Sequence, residues 1–92
     1  MAPFSLGSTC TLSQAETIHA ALSEHLLDHA GEGLLVDASA VEEADISLVQ
    51  ILVSAGRTAA SRHLAMTLEP SPTVSALLAR AGLGDWAASL RA

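Results

Sequence analysis

Residues 34–50 read LLVDASAVEEADISLVQ, and this stretch decides the fold. Leu34-Leu35-Val36 is a short unbroken apolar run bounded by turn signals, the mark of a strand buried on both faces. A loop follows from Asp37 to Asp45, and Glu42, Glu43 and Asp45 make it acidic. Ser47-Leu48-Val49-Gln50 then has the spacing of a capping box, with Ile46 and Ile51 as the hydrophobic staple that accompanies it. From Ser47 to about Arg62 the residues Leu48, Ile51, Leu52, Ala55 and Ala59 recur in helical phase. The stretch therefore predicts a strand, an acidic turn and a helix capped by Ser47.

The flanking sequence continues the alternation. Leu64, Met66 and Leu68 alternate with Ala65 and Thr67, which predicts a strand. Ser71-Pro72 is a cap residue followed by proline at the first helical position, so a further helix starts there. Gly82 is placed as its C′ residue, with Leu83 positioned for the hydrophobic contact of that motif. A last short helix carries Trp86 and Leu90. On the N-terminal side, Pro3 to Leu12 carries Phe4, Leu6, Cys10 and Leu12 around a Gly7-Ser8 break, which suggests a short hairpin or two short strands. Ser13-Gln14-Ala15-Glu16 reads as a capping box opening a helix with Ala15, Ile18, Leu22 and Leu26 on one stripe, ended by Gly31 and Gly33. The order is that of a single α/β domain over residues 1–92. About four strands form a mixed, mainly parallel sheet with helices packed on it.

Composition narrows the function. Half of the 92 residues are hydrophobic, which argues against disorder, and with only Phe4 and Trp86 aromatic the core is aliphatic. The net charge is −6, and the only cations are Arg57, Arg62, Arg80 and Arg91. A phosphate backbone needs clustered cations, so nucleic acid is a poor partner, and the same deficit speaks against anionic lipid head groups. Absence of lysine removes the usual Schiff-base candidates. A partner with a basic or apolar surface suits this charge better. Cys10 is the only cysteine, so neither an intrachain disulfide nor a thiolate cage can form, and a small buried hydrophobe is its usual role. Met1 to Gly7 lacks the charged start of a signal peptide, and no apolar run is long enough to span a membrane. A cytoplasmic protein without membrane insertion is expected.

Two readings attach to Ser47. The structural one is an N-cap worth roughly 1 kcal/mol. The functional one uses the same place, because free N–H groups and the helix dipole stabilise a phosphate at a helix start. Phosphorylation there would set about −1.5 to −2 charges between Ile46 and Leu48. A contact made by those side chains would break. His25 and His29 stand four apart, a spacing that suits a metal, but no third ligand stands out and a solvated pair is the plainer reading. Neither a calcium-loop spacing around Glu42, Glu43 and Asp45 nor a phosphate-binding glycine loop is present. A nucleophile–base set cannot be assembled. The expectation is no enzyme activity, no metal and no cofactor.

The segment from Asp37 to Val49 resembles the signature of the STAS domain family, the anti-sigma-factor antagonists and their relatives. The family form is an aliphatic strand, Asp-Leu-Ser, a loop, and Asp-Ser-Ser-Gly-Leu opening a helix. Asp37-Ala38-Ser39 is similar to the first element and Asp45-Ile46-Ser47-Leu48-Val49 to the second. Leu64 to Leu68, Ser71-Pro72, Leu77-Leu78 and Ala81-Gly82-Leu83 resemble the family's later strand and helix. Two positions depart: Ile46 replaces the first serine and Leu48 replaces the glycine. The resemblance implies a partner-switching regulator with Ser47 as phosphoacceptor. Ser39, Glu42, Glu43, Asp45, Ile46 and Leu48 would be its partner-binding residues. Its partner would be a kinase-type anti-sigma factor, that is, a histidine-kinase-type ATPase domain. Minimal STAS proteins of this kind also serve as unphosphorylated accessory subunits, docked on the ATPase of lipid-transporting ABC systems or in chemotaxis-type complexes. An apolar patch on so thin a domain could also support a homodimer.

Overall fold

A computed structural model describes residues 2–28 and 31–90. Among these residues nine elements follow one another: β1 (Ala2–Ser5), β2 (Thr9–Cys10), α1 (Leu12–Asp28), β3 (Leu34–Ala38), β4 (Glu43–Ala44), α2 (Ile46–Ser61), β5 (Met66–Pro70), α3 (Pro72–Arg80) and α4 (Gly84–Ser89). The main sheet has the order β1-β3-β5 and is parallel throughout, with Phe4 beside Val36 and Val36 beside Leu68. β2 and β4 form a second parallel pair through Thr9–Glu43 and Cys10–Ala44. The N-terminal stretch is thus two short strands and not a hairpin, since each pairs with a later strand. β4 lies inside the stretch expected as loop.

Leu34, Val36 and Ala38 are buried whereas Leu35 and Asp37 are only half-buried, so β3 has one core face. The expectation of a strand buried on both faces fails here. In-register neighbours in a sheet share a face, so Phe4, Val36 and Leu68 point into the core, while Ser5, Asp37 and Glu69 form a row on the other face. The core is aliphatic, built on Leu34, Leu48, Leu52, Leu68 and Leu78. From α1 it takes Leu22 and Leu26, with Ala15 and Ile18 packed against it.

The helix ends follow local chemistry. Ser71 accepts from the Val74 amide at 3.2 Å with Pro72 at the first helical position, as its sequence indicates. The α3 exit is a Schellman motif: Gly82 has φ 79°, its amide donates to Ala79 O at 3.1 Å, and the Leu83 amide donates to Leu78 O at 2.9 Å. α2 ends in the same motif with a histidine in the glycine place. His63 has φ 56°, its amide donates to Ala60 O at 3.1 Å, and the Leu64 amide donates to Ala59 O at 2.8 Å.

Candidate docking site at the start of helix α2

β3 and the β4 strand deliver the chain to the start of α2 at the carboxyl end of the sheet. The cap there is Asp45 and not Ser47. Asp45 is extended (φ −134°, ψ −172°), and its Oδ1 accepts from the Ser47 amide at 3.0 Å. The Ser47 hydroxyl donates to the same oxygen. The other carboxylate oxygen, Oδ2, accepts from the Leu12 amide at 2.9 Å, in the first turn of α1. One side chain thus serves two helix starts, and its pKa lies below the ordinary carboxylate value, first through the Ser47 hydroxyl and then through the Leu12 amide.

This contact also moves the start of α1. The helix begins at Leu12, two residues before the expected first turn, and Gln14 Oε1 accepts from the Thr11 amide at 3.2 Å and the Thr11 hydroxyl at 2.7 Å. The box is Thr11–Gln14 instead of Ser13–Glu16. The arrangement at Asp45 recurs at Asp37, whose Oδ1 accepts from the Ser39 amide at 3.0 Å and from the Ser39 hydroxyl at 2.5 Å. These two bonds lower the Asp37 pKa, the hydroxyl contributing more.

The loop between is pinned by its backbone. The Glu42 and Glu43 amides donate to Ser8 O at 2.8 and 3.0 Å, and the Thr73 hydroxyl donates to Glu42 O at 3.3 Å. Both glutamate side chains and Ser39 are left exposed. Ile46, the first residue of α2, is 57% exposed. Ser47 is 7% exposed, and Leu48 at 1% belongs to the core. The expectation that Leu48 joins the contact surface is therefore corrected: the third residue of α2 turns inward, in phase with Leu52. Two helical positions earlier, Ile46 turns outward.

The remaining sequence candidates lie elsewhere. Cys10 is buried, its Sγ 3.6 Å from Gly7 O, and burial raises its pKa. His25 is half-buried with its ring edge-on to Phe4 at 5.4 Å, so it is not simply solvated, and His29 falls outside the described residues. Among the described residues no three His, Cys, Asp or Glu side chains gather as a metal group. Sequence reading missed Leu12 and Leu27, exposed at 74% and 68%. The signal was present, since neither falls on the Ala15–Ile18–Leu22–Leu26 stripe.

The strand ends of this parallel α/β domain present a capped helix start flanked by exposed glutamates and an exposed isoleucine. The family model described as Mlab, STAS domain, matches residues 4–91, and the chain belongs to the STAS domain family. Domains of this family serve in general as binding domains with signalling or accessory roles. Comparison with curated proteins and with solved structures returned no match. Among the described residues, no helix is long and apolar enough to cross a membrane.

Proposed function

We propose that the chain is a non-enzymatic docking subunit, held constitutively on the ATPase of a lipid-transporting ABC system through the first turn of α2 and the acidic loop before it. The carrying observation is the contrast between neighbours: Ile46 is 57% exposed while the Ser47 hydroxyl is enclosed and donates to Asp45. An exposed β-branched residue at a rigid helix start is a ready contact. A side chain only 7% exposed offers a kinase little access to its hydroxyl, and this burial supports the unphosphorylated reading. Glu42 and Glu43 would steer a basic partner surface, and the site is expected to work in the cytoplasm. Ser39, Glu42, Glu43, Asp45 and Ile46 carry the contact in this reading.

One observation favours the switched alternative, an anti-sigma-factor antagonist released from a kinase-type partner by phosphorylation. Ser47 lies in the first turn of α2, where the positive end of the helix dipole stabilises added negative charge. Affinity purification of the tagged protein from its own cells, read by mass spectrometry, separates the two. A transporter ATPase with Ser47 bare is the expected result. A kinase-type partner together with a phosphorylated Ser47 fraction would replace the accessory reading by the switch. Ile46→Asp is expected to lose the partner at least tenfold, whereas Ser47→Ala keeps it; retention by Ile46→Asp would remove the α2 start as the contact.

A further inference from the structure

A hollow of about 280 Å³ opens between α2 and the start of α4, lined by Val53, Gly56, Arg57, Ala60, Leu83 and Trp86. The α2 residues are spaced i, i+3, i+4 and i+7, so they share one face of the helix. Gly56 has no side chain, which lets the indole of Trp86 stand close against α2 as one wall. Arg57 is the only charged residue lining the hollow, and the other five are apolar. It is exposed, and its guanidinium makes no hydrogen bond or ion pair with the described residues. A concave apolar surface with one convergent polar group is the ordinary form of a small-ligand site.

Charge and size select the ligand. Neither aspartate nor glutamate lines the hollow, so the nearest field is that of Arg57, and it favours an anion. The guanidinium fork meets a carboxylate with two parallel bonds, and apolar walls that hold water off strengthen such a pair. A cavity of about 150 Å³ accepts benzene, so this one has room for on the order of ten non-hydrogen atoms. Large exposed hydrophobics mark a protein contact. Among the described residues these are Leu12, Leu27 and Ile46, and none of them lines the hollow. That favours a small molecule over a partner's side chain or a second copy. We infer that the α2–α4 hollow binds a small carboxylate with an apolar body, its carboxylate on Arg57 and its body against Val53, Leu83 and Trp86. The hollow shares no residue with the docking site at the start of α2, so ligand binding is a second function, independent of docking.

The probe is octanoate, and its control is octanamide, which has nearly the same shape without the charge. Each is titrated into ¹⁵N-labelled protein and followed by amide shifts and by tryptophan emission. Trp86 is the only tryptophan and lines the hollow, so its emission reports this site. Octanoate is expected to bind at least fivefold more tightly than octanamide, with shifts centred on Val53, Gly56 and Ala60. The net charge of −6 repels a carboxylate, so that preference cannot come from the overall field of the molecule. In Arg57→Gln the two ligands should bind equally, whereas Arg80→Gln on α3, away from the hollow, keeps the preference. Ala60→Phe, at an exposed position of the lining, fills the hollow and should weaken octanoate at least fivefold. Failure of both ligands to bind, equal binding to the unsubstituted protein, or a preference that survives Arg57→Gln would overturn the site. So would shifts centred on α1, or indifference to Ala60→Phe, since the apolar body would then lie elsewhere.

Discussion

The Asp45 carboxylate has one oxygen on the amide and hydroxyl of Ser47 and the other on the amide of Leu12, so a single substitution touches the first turns of two helices. Removing it leaves N–H groups of both helices without their acceptor. Asp45→Ala is expected to lower Tm by about 5 °C or more in a domain of this size. Asp45→Asn, a good cap without charge, should lower it less. The pH dependence follows from the lowered pKa. A carboxyl whose folded-state pKa lies below its unfolded value gives its full stabilisation above the unfolded pKa of about 3.9, and that stabilisation is lost as pH falls through the folded-state value. Asp37, lowered by Ser39, acts in the same direction. Melting curves of Asp45→Asn and the unsubstituted protein should therefore lie apart at pH 7 and draw together below about pH 4. A constant gap would mean that the amide-for-carboxylate change acts through geometry alone. His63 offers the opposite case, because it occupies the left-handed region with φ 56° and is exposed, so it sacrifices backbone energy without packing in return. A non-glycine residue there costs roughly 1–2 kcal/mol, partly offset by the unfolded-state freedom of glycine. His63→Gly is expected to raise stability by about 0.5–1 kcal/mol in urea unfolding. A loss would show that the His63 side chain has a role in packing that its exposure conceals.

At Gly56 helix α2 comes close to a side chain of α4. A Cβ built there would lie 2.8 Å from Cζ2 of Trp86, so α4 lies against α2 because α2 has no side chain at that position. Gly56→Ala gains about 1 kcal/mol of helix propensity but forces the indole to move, and overpacking of this kind costs about 1–3 kcal/mol. A net loss of about 1 kcal/mol is expected. Trp86 is the only tryptophan, so a red shift of its emission would report the displaced ring. Unchanged emission with higher stability would mean that α4 yields without resistance. Gly56 was invisible in the sequence, since a lone glycine in a helical pattern carries no mark of what approaches it. The Gly82 exit and the Ser71-Pro72 start of α3 were legible because turn and cap chemistry are local. The start of α2 was legible only in part: aspartate and serine cap equally well, and the choice of Asp45 depends on the Leu12 amide, 33 residues away in the chain. The same long-range bond drew α1 forward to Leu12. Leu35 misled for a related reason. An apolar run does not say whether a second layer covers the far face, and here Ser5, Asp37 and Glu69 occupy that face instead.

Across the whole molecule, the parallel topology sorts charge by where chain segments begin and end. Strand ends and the starts of α1 and α2 share one pole, and there lie Glu16, Asp37, Glu42, Glu43, Asp45 and Glu69 without a lysine or arginine among them. Arg57, Arg62 and Arg80 follow on the later turns of α2 and α3, toward the opposite pole, beside Glu24, Asp28 and Glu32. The molecule therefore carries most of its −6 charge at the end where Ile46 is exposed. A field of one sign over a docking surface raises the rate of encounter with a partner of the other sign, and salt removes that advantage. Association with the partner is expected to slow about tenfold or more between 50 and 500 mM NaCl, while dissociation changes little. The doubly substituted Glu42→Gln, Glu43→Gln protein should associate more slowly at low salt and show a flatter salt dependence. Stopped-flow or surface-based kinetics would separate the two rates. If association ignored salt, the acidic pole would have no part in recognition, and the contact would depend on Ile46 and its uncharged surroundings alone.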